Sequence, residues 1–287
     1  MSFNERRPSA LVTGASSGIG RAIVLRLARG GWTVFAGVRK EEDAVYLRER
    51  SLAFLHPVLL DITDQDSMNS CVHELRAAGI DALDGLVNNA GITVQGPLEY
   101  LPAAELRRQF EVNVTGQLTC TQTFLPLLRR ATGRIVFISS IAGRTASLPL
   151  LGPYCASKWA LEALADTFRI ELRQSGIKVA IVEPGTIDTP IWDKAEGAFD
   201  TIREQLPPEG LERYDLMMKS GDDLATLAKK IGVSPDRVAR KVEHALSSAH
   251  PKTRYPVGDA RPRMLLEMPL PTRVRDWFIS RVAVRGS

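Results

Sequence analysis

The chain reads as a single α/β domain with a parallel sheet covered by helices on both faces, and three observations predict it. Short apolar, β-branched runs alternate with segments of helical periodicity through the first two thirds of the 287 residues. The runs are apolar enough to be buried on both sides. The first of them leads into Thr13-Gly14-Ala15-Ser16-Ser17-Gly18-Ile19-Gly20, a glycine-rich turn that opens an amphipathic helix. Such alternation implies right-handed crossovers, hence a doubly wound, Rossmann-type sheet that collects ligands where its strands end.

The elements follow in order. The first strand spans Ala10 to Val12, and the helix after the glycine turn covers 18–30. A helix start leaves unpaired N–H groups and partial positive charge, which suit a pyrophosphate if the main chain can approach it. Gly14, Gly18 and Gly20 leave that approach open, and Ser16, Ser17 and Ile19 complete the candidate phosphate contacts. The second strand, Thr33 to Val38, ends at Arg39, and Glu41, Glu42 and Asp43 read as first-turn charges of a helix over 41–50. The third, Ala53 to Leu60, leads through Asp61 and Ile62 to a helix over 64–78; the fourth, Gly85 to Val87, leads through Asn89 and Gly91 to one over 102–130. Asn113 lies in the middle of that last helix, where asparagine is a poor helix former, so a distortion or an ordered water in a proton path is expected there.

The fifth strand, Arg134 to Ser139, closes on Ser140, and a helix over 154–174 begins with Tyr154-Cys155-Ala156-Ser157-Lys158. The sixth, Lys178 to Val182, runs into Pro184 and Gly185, with Ile187 and Thr189 beyond. After Pro184 the pattern changes to helices rich in proline and charge. Residues 190–220 are expected to form a lid over the substrate within the same domain, and 235–287 a basic C-terminal extension with an extended piece at Arg254 to Val257 and a last helix near Thr272 to Val284.

Composition narrows the function classes. No apolar stretch approaches the roughly 20 residues that cross a bilayer and the first residues lack the apolar segment of a secretory signal, so a cytoplasmic protein is expected. Cys71, Cys120 and Cys155 are widely spaced and fit free thiols in a reducing compartment, and the four histidines have no metal-ligand spacing, so no metal is expected. The net charge is +4, and Pro235 to Ser287 carries eleven Arg/Lys against five Asp/Glu. These charges are scattered and broken by prolines, which reads as a solvated basic surface rather than a nucleic-acid patch.

Tyr154 and Lys158 share one face of their helix. A phenol with its usual pKa near 10 is a poor proton donor or acceptor at neutral pH unless its anion is stabilised, which an ammonium one turn away does while its other protons bond a ribose. Tyr154 is then a general acid/base, and a serine hydroxyl at the end of the preceding strand is placed to hold the substrate oxygen. Cys155 reads as a small buried thiol rather than a nucleophile.

Taken together, Thr13 to Gly20, Asp61-Ile62-Thr63, Asn88 to Gly91, Asn113, Ser140, Tyr154 with Lys158, and Pro184-Gly185 to Thr189 resemble, in order, the motifs of the short-chain dehydrogenase/reductase family. The resemblance covers Ala10 to about Trp192. It implies a nicotinamide cofactor and a tetrad of Asn113, Ser140, Tyr154 and Lys158. It further implies that Asp61 and Ile62 meet the adenine, that Asn89 and Gly91 line the ribose path, and that Pro184, Gly185, Ile187 and Thr189 lie at the nicotinamide end. The loop before Tyr154 is one residue longer than is usual in the family, which keeps Ser139 as an alternative to Ser140.

At the end of the second strand an NAD-selective site would carry an acidic residue for the ribose 2′-hydroxyl. Arg39 suits a 2′-phosphate instead, so NADP(H) is the expected cofactor, ahead of NAD(H). Ile191, Trp192, Phe199, Leu206, Leu211, Tyr214, Leu216, Met217 and Met218 form an apolar set in the lid that either encloses a lipophilic alcohol or ketone or packs onto the core. The tail from Val238 to Trp277 resembles that of members similar to 17β-hydroxysteroid and retinol dehydrogenases, which points to a steroid, retinoid or other hydrophobic secondary alcohol or ketone. Val274, Trp277, Phe278 and Val282 give the final helix an apolar face among arginines, which reads as packing on its own domain or a second subunit in preference to a membrane surface. The helices near 102–130 and 154–174 are the expected contacts of a homo-dimer or homo-tetramer. A cofactor-sensing binding protein that has lost catalysis is the alternative function.

Overall fold

A computed structural model of the protein describes residues 6–145, 148–190 and 198–284. Seven strands, β1 (Ser9–Val12), β2 (Thr33–Val38), β3 (Leu55–Leu59), β4 (Gly85–Asn88), β5 (Arg134–Ile138), β6 (Lys178–Pro184) and β7 (Arg254–Val257), pair in parallel in the order β3-β2-β1-β4-β5-β6-β7. Chain direction across the sheet reverses at β1, whose neighbours are β2 and β4. The crevice outside their carboxyl ends is where an open α/β sheet binds its ligand.

The helices are α1 (Gly18–Arg29), α2 (Glu41–Arg48), α3 (Gln65–Ala77), α4 (Ala103–Phe110), α5 (Gly116–Ala131), α6 (Gly152–Glu171), α7 (Ala198–Gln205), α8 (Pro208–Ile231), α9 (Asp236–Ser247), α10 (Ala260–Glu267) and α11 (Thr272–Val284). Alternation along each inner strand feeds two cores. Val12, Ala36, Val136 and Val182 pack with Ile23 and Leu27 of α1 and Val238 and Val242 of α9. Leu11, Phe35, Phe137 and Ile181 pack on the other face with Met68, Leu75, Phe124 and Leu161. Each fully buried Val, Leu, Ile, Phe or Met among them contributes on the order of 1.5–3 kcal/mol.

The outer strands depart from the expectation of burial on both sides. In β3, His56 and Leu59 are exposed while Leu55 and Val58 are buried, and in β7 Arg254 and Pro256 are half-buried between buried Tyr255 and Val257. These are the sheet edges, and each carries a proline, Pro57 and Pro256, where a missing N–H is tolerated. The third strand is accordingly shorter than Ala53 to Leu60. The extended piece at Arg254 to Val257 turns out to be a full sheet member beside β6.

The helix expected over 102–130 is interrupted. Between α4 and α5 residues Glu111–Thr115 widen into a π-helical turn with Asn113 at its centre, which is the distortion that a buried asparagine in mid-helix suggested. In the lid region α8 runs past 220 to Ile231, so the expected boundary falls inside a helix. Phe199 and Met218 are buried with Leu150, and Leu206, Leu211, Tyr214 and Met217 pack against them, so these residues form a small core of their own. Leu216 is exposed, and Ile191 and Trp192 lie outside the described residues. On α11, Val274 and Trp277 are exposed and the Arg281 guanidinium lies 4.2 Å from the Trp277 ring centroid. The side chains of Phe278 and Val282 lie outside the description.

Candidate active site

The glycine turn is built against the end of β4. Gly14 has φ +66, and a Cβ there would stand 2.8 Å from the Ala90 Cα; a Cβ on Gly20 would stand 2.2 Å from the Gly14 carbonyl oxygen and 2.5 Å from Asn89 Nδ2. A Cβ on Gly18, at φ +51, would stand 3.2 Å from the Thr189 side chain, so the first and last of the expected cofactor segments are neighbours. Ser17 stands at the N-cap of α1 without a side-chain bond to the turn, and the first turn holds no acidic residue. Its free amides and partial positive charge therefore face the crevice unanswered, which fits a phosphate group.

Thr13, at the end of β1, ties this turn to its neighbour: its hydroxyl oxygen accepts from the backbone N–H groups of Asn89 and Ala90, both at 3.0 Å. Asn89 completes the clasp by donating Nδ2 to the carbonyls of Thr13 and Gly14 at 2.9 and 3.0 Å. Its amide nitrogen is thus spent on the turn. Gly91 is exposed beside it, with Asn113 Oδ1 3.3 Å from where its Cβ would be.

Asn113 belongs to a stripe of three amide side chains at four-residue spacing that holds the segment 90–94. Gln109 accepts from Val94 N at 2.6 Å and donates to Ile92 O at 2.9 Å. Asn113 accepts from Ile92 N at 2.8 Å and donates to Ile92 O at 3.0 Å and to Ser157 Oγ at 3.1 Å; Gln117 donates to Ala90 O at 2.8 Å. The sequence signal for Gln109 and Gln117 was this spacing from Asn113, three buried amides on one helix face.

On the far side, Ser140 caps the turn Ile141–Gly143 with its Oγ accepting from Ala142 N at 3.1 Å, and its hydroxyl is near enough to the Tyr154 phenol to favour the phenol's anion. Ser139 is buried and its Oγ has no hydrogen-bond partner, so the geometry brings Ser140 rather than Ser139 to the tyrosine. Lys158 is 5 % exposed, its Nζ 5.7 Å from the Tyr154 ring centroid and donating to Ile138 O at 2.9 Å. Cys155 is buried beside them, and burial raises its thiol pKa.

The electrostatics correct one expectation. The spacing of Tyr154 and Lys158 suggested a phenol made acidic by the ammonium. In the free protein burial dominates and pushes the phenol up to about 12, the Ser140 hydroxyl pulling it back only in part. Burial also pulls Lys158 down to about 8, against the nearby Glu162 carboxylate, which raises it.

Of the remaining expected contacts, Arg39 is exposed directly after β2, and no carboxylate among the described residues pairs with it. The Asp61 carboxylate accepts from Thr63 N and Oγ1 at 2.9 and 2.7 Å, and the Ile62 side chain is buried in the core, which leaves only its backbone for a ligand. Pro184 ends β6. Gly185 has room for no Cβ, since Asp259 Oδ1 would be 2.0 Å away; that carboxylate accepts from Thr186 N at 2.6 Å and fixes the loop leading to Ile187 and Thr189. Ile187 is buried and bridges to Val233, and Thr189 is half-buried. Thr13 and Asp259 were missed as organisers because their partners lie far away in sequence. Among the described residues no cluster of three or more His, Cys, Asp or Glu is placed to hold a metal, and no helix is long and apolar enough to cross a membrane.

The glycine turn lies at the sheet's reversal point and Ser140, Tyr154 and Lys158 follow β5 in the same sheet, and a family model described as short chain dehydrogenase matches residues 8–198. The chain belongs to that family. Among its relatives are the NADPH-dependent 3-dehydrocapnine reductase of Ornithobacterium rhinotracheale, 39% identical over 255 residues covering 87% of each chain, and retinol dehydrogenase 5 of Mus musculus, 35% identical over 284 residues covering 95% of this chain and 89% of the other. A solved short-chain dehydrogenase from Streptomyces avermitilis superposes with a TM-score of 0.75 at 28% identity over 97% of each chain. This short-chain dehydrogenase is therefore an oxidoreductase of nicotinamide-dependent kind, with the single-domain fold of its relatives.

Proposed function

We propose that the protein moves a hydride between NADP(H) and a lipophilic secondary alcohol or its ketone, with Tyr154 as general acid/base. The observation that carries this is the assembly of Ser140, Tyr154 and Lys158 at the end of β5, across from an uncapped helix start. When bound, the nicotinamide supplies or accepts the hydride. Ser140 orients the substrate oxygen, and Tyr154 gives it a proton or takes one away. Lys158 has spent one of its three donors on Ile138, so two remain for a ribose.

Gly14, Ser16, Ser17, Gly18, Ile19 and Gly20 would hold the pyrophosphate, Asp61 and the Ile62 backbone the adenine end, and Gly91 the ribose path, with Asn89 acting through the turn it braces. Pro184, Gly185, Ile187 and Thr189 would border the nicotinamide. Arg39, exposed and without a carboxylate partner among the described residues, suits the 2′-phosphate of NADP. A relative named for NADPH dependence and another named for retinol support the cofactor and a lipophilic substrate. The small apolar core of α7 and α8 supports a lid that shields the substrate. Exposed Leu106, Trp159 and Ile170 on α4 and α6 offer a face for a second copy of a cytoplasmic homo-oligomer.

The decisive test is Tyr154→Phe. It should keep NADPH binding within about twofold and lower kcat by about 10²-fold or more. Turnover near wild type would overturn the reading.

A further inference from the structure

Behind Lys158, away from the glycine turn, lies a buried charge network that the proposed chemistry does not use. Glu162, one helical turn after Lys158, is 4 % exposed, and Glu183 on β6 is fully buried. Arg254 reaches both from β7: its Nη1 donates to Glu162 Oε2 and, at 2.6 Å, to Glu183 Oε1, while its Nη2 takes both oxygens of Asp166 at 2.8 and 2.7 Å. Arg144 stands 3.9 Å from Glu183 Oε1, and Arg169 pairs with Asp166. Two carboxylate oxygens, Glu162 Oε1 and Glu183 Oε2, are buried with no hydrogen-bond partner.

The turn that carries Ser140 seals this network to the active site. A Cβ on Gly143 would stand 2.9 Å from the Lys158 carbonyl oxygen and 3.0 Å from Glu162 Cγ, so no side chain separates the turn from that helix face. Lys158 Nζ meets the Tyr154 ring on its own helix and the Ile138 carbonyl from β5; the buried Glu162 carboxylate lies one helical turn further along, outside ion-pair contact, with Arg254, Glu183, Asp166 and Arg144 around it.

A buried ammonium with no anion nearby sheds its proton, and replacing three carboxylates and their arginines by apolar residues would cost the fold little or nothing. The network is explained if its charge is needed. We propose that Glu162 is a positioning residue for Lys158: its carboxylate, one helical turn away and only partly offset by Arg254 from β7, keeps the ammonium charged in a water-excluded site. The basic C-terminal segment thereby enters the chemistry through one arginine. The proposal rests on Lys158 holding its proposed place beside Tyr154.

The two charges act on Lys158 with opposite sign, which makes the test specific. In free protein labelled with [13Cε]lysine, the Lys158 resonance is assigned with Lys158→Met and titrated. Glu162→Gln should lower its midpoint by about one pH unit, a tenfold change in protonation ratio, and move the alkaline limb of kcat/KM the same way. Arg254→Met should raise the midpoint by exposing Lys158 to a less compensated carboxylate. A midpoint unmoved by Glu162→Gln in folded protein overturns the proposal; if that variant does not fold, an unmoved or lowered midpoint in Arg254→Met does so. Full activity in Tyr154→Phe would instead overturn the underlying mechanism and leave the Lys158 midpoints to be judged on their own.

Discussion

Thr13→Val removes one oxygen at nearly constant volume and so isolates what the clasp between β1 and β4 contributes. Thr13 is 1 % exposed and accepts two backbone N–H groups at 3.0 Å; its own donation to Val87 O is long, at 3.4 Å. Valine leaves both Asn89 and Ala90 N–H groups without that acceptor in a part-buried place. Each unsatisfied group costs about 1–3 kcal/mol, and with solvent reaching one of them the total is about 1–3 kcal/mol. In a chain of this size each kcal/mol shifts Tm by about 2 °C, so a fall of about 2–6 °C is expected in a thermal melt, with the urea midpoint falling at unchanged slope. NADPH affinity, read by fluorescence, should fall too, because Ala90 backs Gly14 in the turn. A Tm within about 1 °C of wild type would show that water replaces the hydroxyl without loss, and the account of the clasp would fail.

Gly20→Ala drives a methyl group onto the Gly14 carbonyl at 2.2 Å, an overpacking worth about 1–3 kcal/mol or more; NADPH binding should be largely lost, and unchanged affinity and Tm would contradict the packing described. Arg39→Asp should weaken NADPH at least about tenfold while sparing NADH, and an equal loss for both would remove Arg39 from the 2′-phosphate. Lys158 sits near 8 in the folded protein against 10.5 for an ordinary lysine, so the unfolded chain binds more protons between those values and stability gains as pH rises through that window. Comparing urea midpoints at pH 8 and 9, wild type should gain relative to Lys158→Met, and parallel profiles would refute the assignment.

The inner sheet was legible because strands buried on both faces leave continuous apolar runs, and its edges were less so because β3 and β7 are only partly buried and carry prolines. Asn113 announced its distortion by its poor fit to a helix. The glycine turn and the Tyr154–Lys158 pair are local, with spacing set by one turn of backbone. Asp259 holding Thr186, and Arg254 joining Glu162 to Glu183, are pairings across 73, 92 and 71 residues, and no local periodicity encodes them. The expected acidic phenol failed for a related reason: the helix spacing is readable, but the desolvation of Tyr154 depends on what the rest of the chain piles around it.

The widened turn at Glu111–Thr115 has a consequence for how this stretch can change length. In a regular α-helix, positions four apart drift by about 40° and positions eight apart by about 80°, so Gln109, Asn113 and Gln117 would fan away from the strand of backbone they grip. A wider turn takes up part of that drift and lets all three reach Ala90, Ile92 and Val94 together. Losing a single residue between 111 and 115 would restore ordinary winding and swing one end of the row away, so in this place homologues should keep the residue count as strictly as they keep the Asn113 amide.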